Sequence, residues 1–141
     1  MSKRRLSQFP PSAAAGLLLL LVVAAASAQN QTVEQVAQTI AAQHNQSAHL
    51  VRDEMTVSST ATATGKNVRF DIILRVRQGL PEAKRLEFDT ENRKEIIPRV
   101  CAVKGNEIGF KRGMSYTFSS SNTYGEKLSE FTIDGKTCGI K

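Results

Sequence analysis

Val68-Arg69-Phe70-Asp71-Ile72-Ile73-Leu74-Arg75-Val76-Arg77 decides how this chain folds. Val68, Phe70, Ile72, Leu74 and Val76 alternate with Arg69, Asp71, Ile73, Arg75 and Arg77. A two-residue repeat sends successive side chains to opposite faces of a strand. Apolar residues at every second position therefore predict a strand with one face on a core and the other on solvent. Upstream, Met55, Val57, Ser59, Ala61 and Ala63 alternate with Thr56, Ser58, Thr60 and Thr62, and Gly65-Lys66-Asn67 makes a turn. The two runs read as an antiparallel hairpin.

Before the hairpin the period is helical. Val33, Val36, Ala37, Ile40 and Ala41 share one helix face, and Thr32 with Gln35 fits a capping box. This predicts a helix from about Val33 to about His44, since Asn45 to Ser47 is poor helix sequence. After the hairpin, Gly79-Leu80-Pro81 ends the strand. Asp89 is suited to cap a second helix from Thr90, with Ile96, Ile97, Val100, Cys101 and Val103 as its apolar stripe and Pro98 as a kink or stop. Asn106 to Arg112 adds a short turn that Gly113 stops. Met114, Tyr116 and Phe118 alternate in a third strand, and Ser120 to Gly125 reads as a loop tip. Lys127 to Asp134 is a fourth strand with Phe131 and Ile133 on one face and Leu128 on the other. The order is helix-strand-strand-helix-strand-strand. It predicts an α+β fold, a two-layer sandwich in which helices pack an antiparallel four-stranded sheet.

The N-terminus belongs to a different kind of sequence. Lys3, Arg4 and Arg5 precede an apolar run from Ala13 to Ala26, and Ala26-Ser27-Ala28 is a small-x-small site. This is the layout of a cleavable signal peptide over residues 1–28, cut after Ala28 to leave Gln29 first. The run is shorter than the roughly 20 residues that cross a bilayer as a helix. The expectation is a single α+β domain over residues 29–141, periplasmic or secreted, with no stable membrane insertion after cleavage. Those three basic residues supply half of the chain's formal charge of +6. The basic excess is thus weak ground for nucleic-acid binding, and none is expected.

Export bears on the two cysteines. An even count in an oxidising compartment reads as one disulfide, Cys101 to Cys138. In the chain-entropy model a loop of that length stabilises by about 3–4 kcal/mol. A reactive thiol pair or metal ligands are the alternatives, but no C-x-x-C and no zinc spacing occurs.

A family likeness rests on these landmarks. Cys101 late in a helix, Gly113-x-x-Tyr116-x-Phe118, Gly125-x-x-Leu128, Phe131-x-Ile133 and Cys138 resemble a pattern in small exported bacterial proteins, among them quorum-sensing-regulated virulence factors. Gly65-Lys66-Asn67-Val68-Arg69-Phe70 is similar to theirs as well. The resemblance covers most of the chain after residue 28. It implies a small periplasmic or secreted α+β protein and carries over no catalytic residue. A helix followed by a long hairpin also resembles cystatin-type inhibitors. Their Gln-x-Val-x-Gly loop has no match here, where the turn is Ala63-Thr64-Gly65-Lys66-Asn67.

Chemistry-bearing patterns are missing. His44 and His49 are about 140° apart on a helix, so they do not form paired metal ligands. No G-x-S-x-G, P-loop or dinucleotide fingerprint occurs. Glu91 and Glu95 lie on one helix face, where a solvated surface is the plain reading. No catalytic residue, metal or cofactor is expected, and the protein is read as a non-enzyme that binds another protein. An envelope or secretion accessory or a virulence-linked factor fits this reading, and a hydrolase inhibitor is the alternative. Two surfaces are candidates for the partner: the outward face of the second strand at Arg69, Ile73 and Arg75, and the polar loop at Ser120, Ser121, Asn122 and Tyr124.

Overall fold

The computed structural model describes residues 31–51 and 53–141, so the expected signal segment lies outside the described residues. The chain runs α1 (Val33–Ser47), a 3-10 turn (Ala48–Val51), β1 (Thr56–Thr64), β2 (Asn67–Leu74), α2 (Glu82–Ala102), α3 (Lys104–Lys111), β3 (Ser115–Asn122) and β4 (Lys127–Ile133). The strands form one sheet in the order β1-β2-β3-β4. This is the expected α+β fold, with one correction to the sheet. β1 with β2 and β3 with β4 are antiparallel, but β2 and β3 are parallel, Phe70 lying beside Phe118. The cause is the connection: the helices between β2 and β3 return the chain to the end from which β2 started, as a parallel pair requires.

α1 begins at the expected capping box. The Thr32 hydroxyl accepts from the Gln35 N–H at 3.2 Å, and the Gln35 side chain accepts from the Thr32 N–H at 2.9 Å. Val33, Val36, Ala37, Ile40 and Ala41 are all buried. The helix continues through Asn45 to Ser47, beyond the expected end, because His44 and Asn45 are tied to β1.

α2 starts at Glu82, eight residues before the expected Thr90, with Pro81 at its N-cap. Asp89 is therefore inside the helix. In its first turns only Phe88 is buried, with Arg85 and Asp89 half-buried, so no apolar stripe marks them. Pro98 lies within the helix at an exposed position and has no N–H to donate to the Lys94 carbonyl one turn back. Ile96 and Val100 are buried.

The inner face of the sheet is built in rows. Phe70, Phe118 and Phe131 align across β2, β3 and β4, with ring centroids 5.0 Å apart for the first pair and 5.8 Å for the second. Val68, Tyr116 and Ile133 form the adjacent row, all buried. Two register shifts alter the expected faces. One between Thr56 and Ser58 lets Thr56 turn inward, where it is buried opposite Leu74. The other sets Ser120 against Ser129 and Ser121 against Lys127, leaving Leu128 as an extra residue that is buried rather than outward. The disulfide joins Cys101, near the end of α2, to Cys138 in the tail, with Cα atoms 5.3 Å apart.

Candidate functional site

Arg69, Ile73 and Arg75 lie on or beside the outward face of β2, as expected. Arg69 does not present a free charge. Its Nε is 3.0 Å from Asp71 and its Nη2 2.8 Å from Glu130, while Lys127 Nζ is 2.9 Å from the same Glu130 carboxylate. The bonds from Lys127 and then Arg69 hold the Glu130 carboxyl down at about 2. The glutamate in turn raises the Arg69 guanidinium above its ordinary value, and Asp71 adds to this. The face carries charges of both signs, interlocked, rather than a basic patch. Arg75 donates to the Glu54 carbonyl at 2.9 Å. Ile73 is 36% exposed.

The Ser-Ser-Ser-Asn stretch is strand, not loop. β3 runs to Asn122, so Ser120 and Asn122 face inward and are buried, which corrects their expected exposure. Asn122 organises the hairpin: its Oδ1 accepts from the N–H groups of Tyr124 at 3.0 Å and Glu126 at 2.9 Å. Ser121 faces outward beside Ile73, and Tyr124 is exposed at the tip. Ile73 and Ser121 thus come together, while Ser120 and Asn122 are separated from them by the sheet itself.

The buried polar groups bind elements together. Ser129 donates to Asp89 at 2.6 Å, and Arg93 bonds the other Asp89 oxygen at 2.8 Å. Arg93 also lies over the Phe131 ring at 5.0 Å. Asn106 donates to the Val100 carbonyl at 3.0 Å and accepts from the Tyr116 hydroxyl at 3.1 Å, pinning the α2–α3 corner to β3. Burial pushes the Tyr116 hydroxyl far up, so it stays protonated. His44 is buried, its Nε2 2.8 Å from the Ser59 hydroxyl. Among the described residues no group of three or more His, Cys, Asp or Glu is placed to hold a metal ion. No described helix is long and apolar enough to cross a membrane.

A second surface escaped the sequence reading. α1 and α3 flank a shallow groove lined by Val36 and Ile40 from one side and by Gly105, Ile108 and Gly109 from the other, with Arg112 also on its wall. Ile108 is 59% exposed. Gly109 leaves room for the Met114 side chain just before β3, since a Cβ there would meet the Met114 sulfur at 2.8 Å. The available signal was the pair of glycines four residues apart beside Ile108, which gives a short helix one smooth face.

No family model and no curated protein matches the chain. Three solved structures share its fold. The type II secretion system pilotin AspS from Vibrio cholerae is 19% identical with a TM-score of 0.53, over 75% of this chain and 92% of that one. A protein described as secreted, from Pseudomonas aeruginosa, is 14% identical with a TM-score of 0.60, over 75% and 92%. The pilotin EpsS from the type 2 secretion system of Vibrio vulnificus is 11% identical with a TM-score of 0.54, over 90% and 99%. At these identities the likeness is one of fold. None of the three is described as a quorum-sensing-regulated virulence factor.

Proposed function

We propose that this chain is an exported, non-enzymatic accessory protein of an envelope secretion system, and that it works by binding a protein partner in the groove between α1 and α3. The groove carries the reading. It is a small, largely apolar depression beside a large exposed side chain, Ile108, with Arg112, which also donates to the Gln31 carbonyl at 2.9 Å, on its wall. Such a surface suits an apolar segment bearing a carboxylate: the apolar contact supplies area and the charge fixes orientation. The sheet face fits a partner less well, because Arg69 already has two carboxylates. The fold shared with two secretion-system pilotins and the export pattern of residues 1–28 support the setting.

A photo-crosslinking residue at position 108, in cells that express the chain beside a type II secretion apparatus, tests the proposal. The expected product is a crosslink to a component of that apparatus, lost when Gly105→Leu fills the groove. Crosslinking from positions 73 or 124 but not from 108 would overturn the groove. A crosslink confined to a hydrolase would overturn the accessory role in favour of inhibition.

A further inference from the structure

Each outer strand of the sheet has one main-chain edge without a neighbouring strand, and on each a helix side chain occupies that edge. On β1, Asn45 near the end of α1 donates from Nδ2 to the Ala61 carbonyl at 2.9 Å, and its Oδ1 accepts from the Ala61 N–H at 2.7 Å. On β4, Arg93 of α2 donates to the Glu130 carbonyl at 2.9 Å. A carboxamide bonded to both main-chain groups of one residue reproduces the exchange that a next strand would make there.

The two edges differ in what else protects them. Helical segments pack against both outer strands, α1 and the 3-10 turn against β1 and α2 against β4, but β4 also carries charges, Lys127 and Glu130. β1 has no charged residue, no proline and no glycine over its nine residues, Thr-Val-Ser-Ser-Thr-Ala-Thr-Ala-Thr. Charges and prolines are the usual means of blunting a strand edge. In β1 neither is present, and the Asn45 carboxamide takes their place.

We propose that Asn45 guards the β1 edge, and that the edge beneath it is complementary to β1 of a second copy of this chain. Main-chain groups of alternate residues point to the same edge, so Ser59 and Ala63 present theirs on the side that Ala61 does. Two antiparallel copies of β1 related by a two-fold axis at Ala61 set Ser59 against Ala63 and Thr60 against Thr62. Thr60 and Thr62 are exposed in the single chain. Threonine pairs across strands are favourable, and no like charges oppose each other. The interface is isologous, so one guard at its centre, present in each copy, closes it.

Sedimentation velocity across a wide concentration range tests this on the purified protein, with circular dichroism to check folding. Wild-type protein is expected to stay monomeric. Asn45→Ala is expected to shift to a dimer, and Asn45→Ala with both Thr60→Lys and Thr62→Lys to return to monomer, because like charges then stand directly opposite each other across the two-fold. Asn45→Asp should remain monomeric, since it puts a carboxylate at the edge that can still accept from the Ala61 N–H. If Asn45→Ala does not fold, Asn45→Ser replaces it with the same expectations. A folded edge variant that remains monomeric throughout, or a dimer that Thr60→Lys and Thr62→Lys together leave intact, would overturn the proposal.

Discussion

The Phe70 ring stacks on the Phe118 ring, with centroids 5.0 Å apart and planes 15° from parallel, across the one parallel strand pair of the sheet. The contact joins the two halves of the chain. Phe70 also meets the edge of His44 at 5.1 Å and lies 6.1 Å from Tyr116, so it is packed from the helix layer as well as within the sheet. Removing it leaves a cavity that ordered neighbours on several sides cannot fill. Phe70→Ala is expected to cost about 3–5 kcal/mol, a large part of the stability of a small domain. Arg75→Ala, on an exposed side chain with one main-chain bond, should stay within about 0.5 kcal/mol. Urea titrations of the two variants make the comparison, and equal costs would mean that both faces of β2 are covered.

What was legible in the sequence was whatever local periodicity encodes. The β1–β2 hairpin, the capped α1 and the inward face of β2 each follow from residues a few positions apart. The parallel pairing of β2 with β3 depends on a helical crossover, and the helix predicted between them was the clue to it. The start of α2 was hidden because Glu82 to Glu87 face solvent and are held by pairs such as Lys84–Glu87 at 2.9 Å rather than by burial. Ser120 and Asn122 continue the inward repeat of Tyr116 and Phe118, but as polar residues they resemble a loop until their burial is seen. The α1–α3 groove joins residues far apart in sequence, so no local pattern announces it.

The cross-link offers a second test. Cys101 lies near the end of α2 and Cys138 beyond β4, so the bond ties the tail to the helix layer. Ile140 packs against the core and its N–H bonds the Gly135 carbonyl at 2.8 Å, so the tail has contacts of its own. Replacing both cysteines with serine is expected to lower stability by about 2–4 kcal/mol while the far-ultraviolet spectrum persists. Thermal melts of the two forms read this. Unchanged melting would show that the tail contacts alone fix the C-terminus.

Export is checked at the N-terminus. The protein recovered outside the cytoplasm is expected to begin at Gln29, because Ala26-Ser27-Ala28 presents small residues where signal peptidases cut. Intact-mass measurement of that fraction decides it, and a mass that includes residues 1–28 would count against cleavage.

Acidity should act on α1 through His44. Burial lowers the His44 pKa below its ordinary 6.5, against a smaller opposing effect of the Ser59 main chain. The geometry agrees. With the proton on Nε2 the ring donates to the Ser59 hydroxyl, while Nδ1 is buried without a partner among the described residues. The neutral ring leaves only a lone pair there; the imidazolium would put an N–H donor at the same spot with nothing to accept it, which is costly. Between the lowered pKa and 6.5 the unfolded chain binds a proton that the folded one refuses. Stability is therefore whole above about 6.5 and falls as the pH drops below it. His44→Gln, neutral throughout, should lower stability at pH 7 by loss of ring packing yet remove this part of the decline. Exposed His49 is the internal comparison, and His49→Gln should leave the wild-type profile in place. Denaturation midpoints measured from pH 7.5 down to 5 separate these outcomes. A decline of equal slope in wild type and His44→Gln would assign the acid sensitivity to carboxylates, and an equal loss of the decline in His49→Gln would show that the histidine responsible is not the buried one.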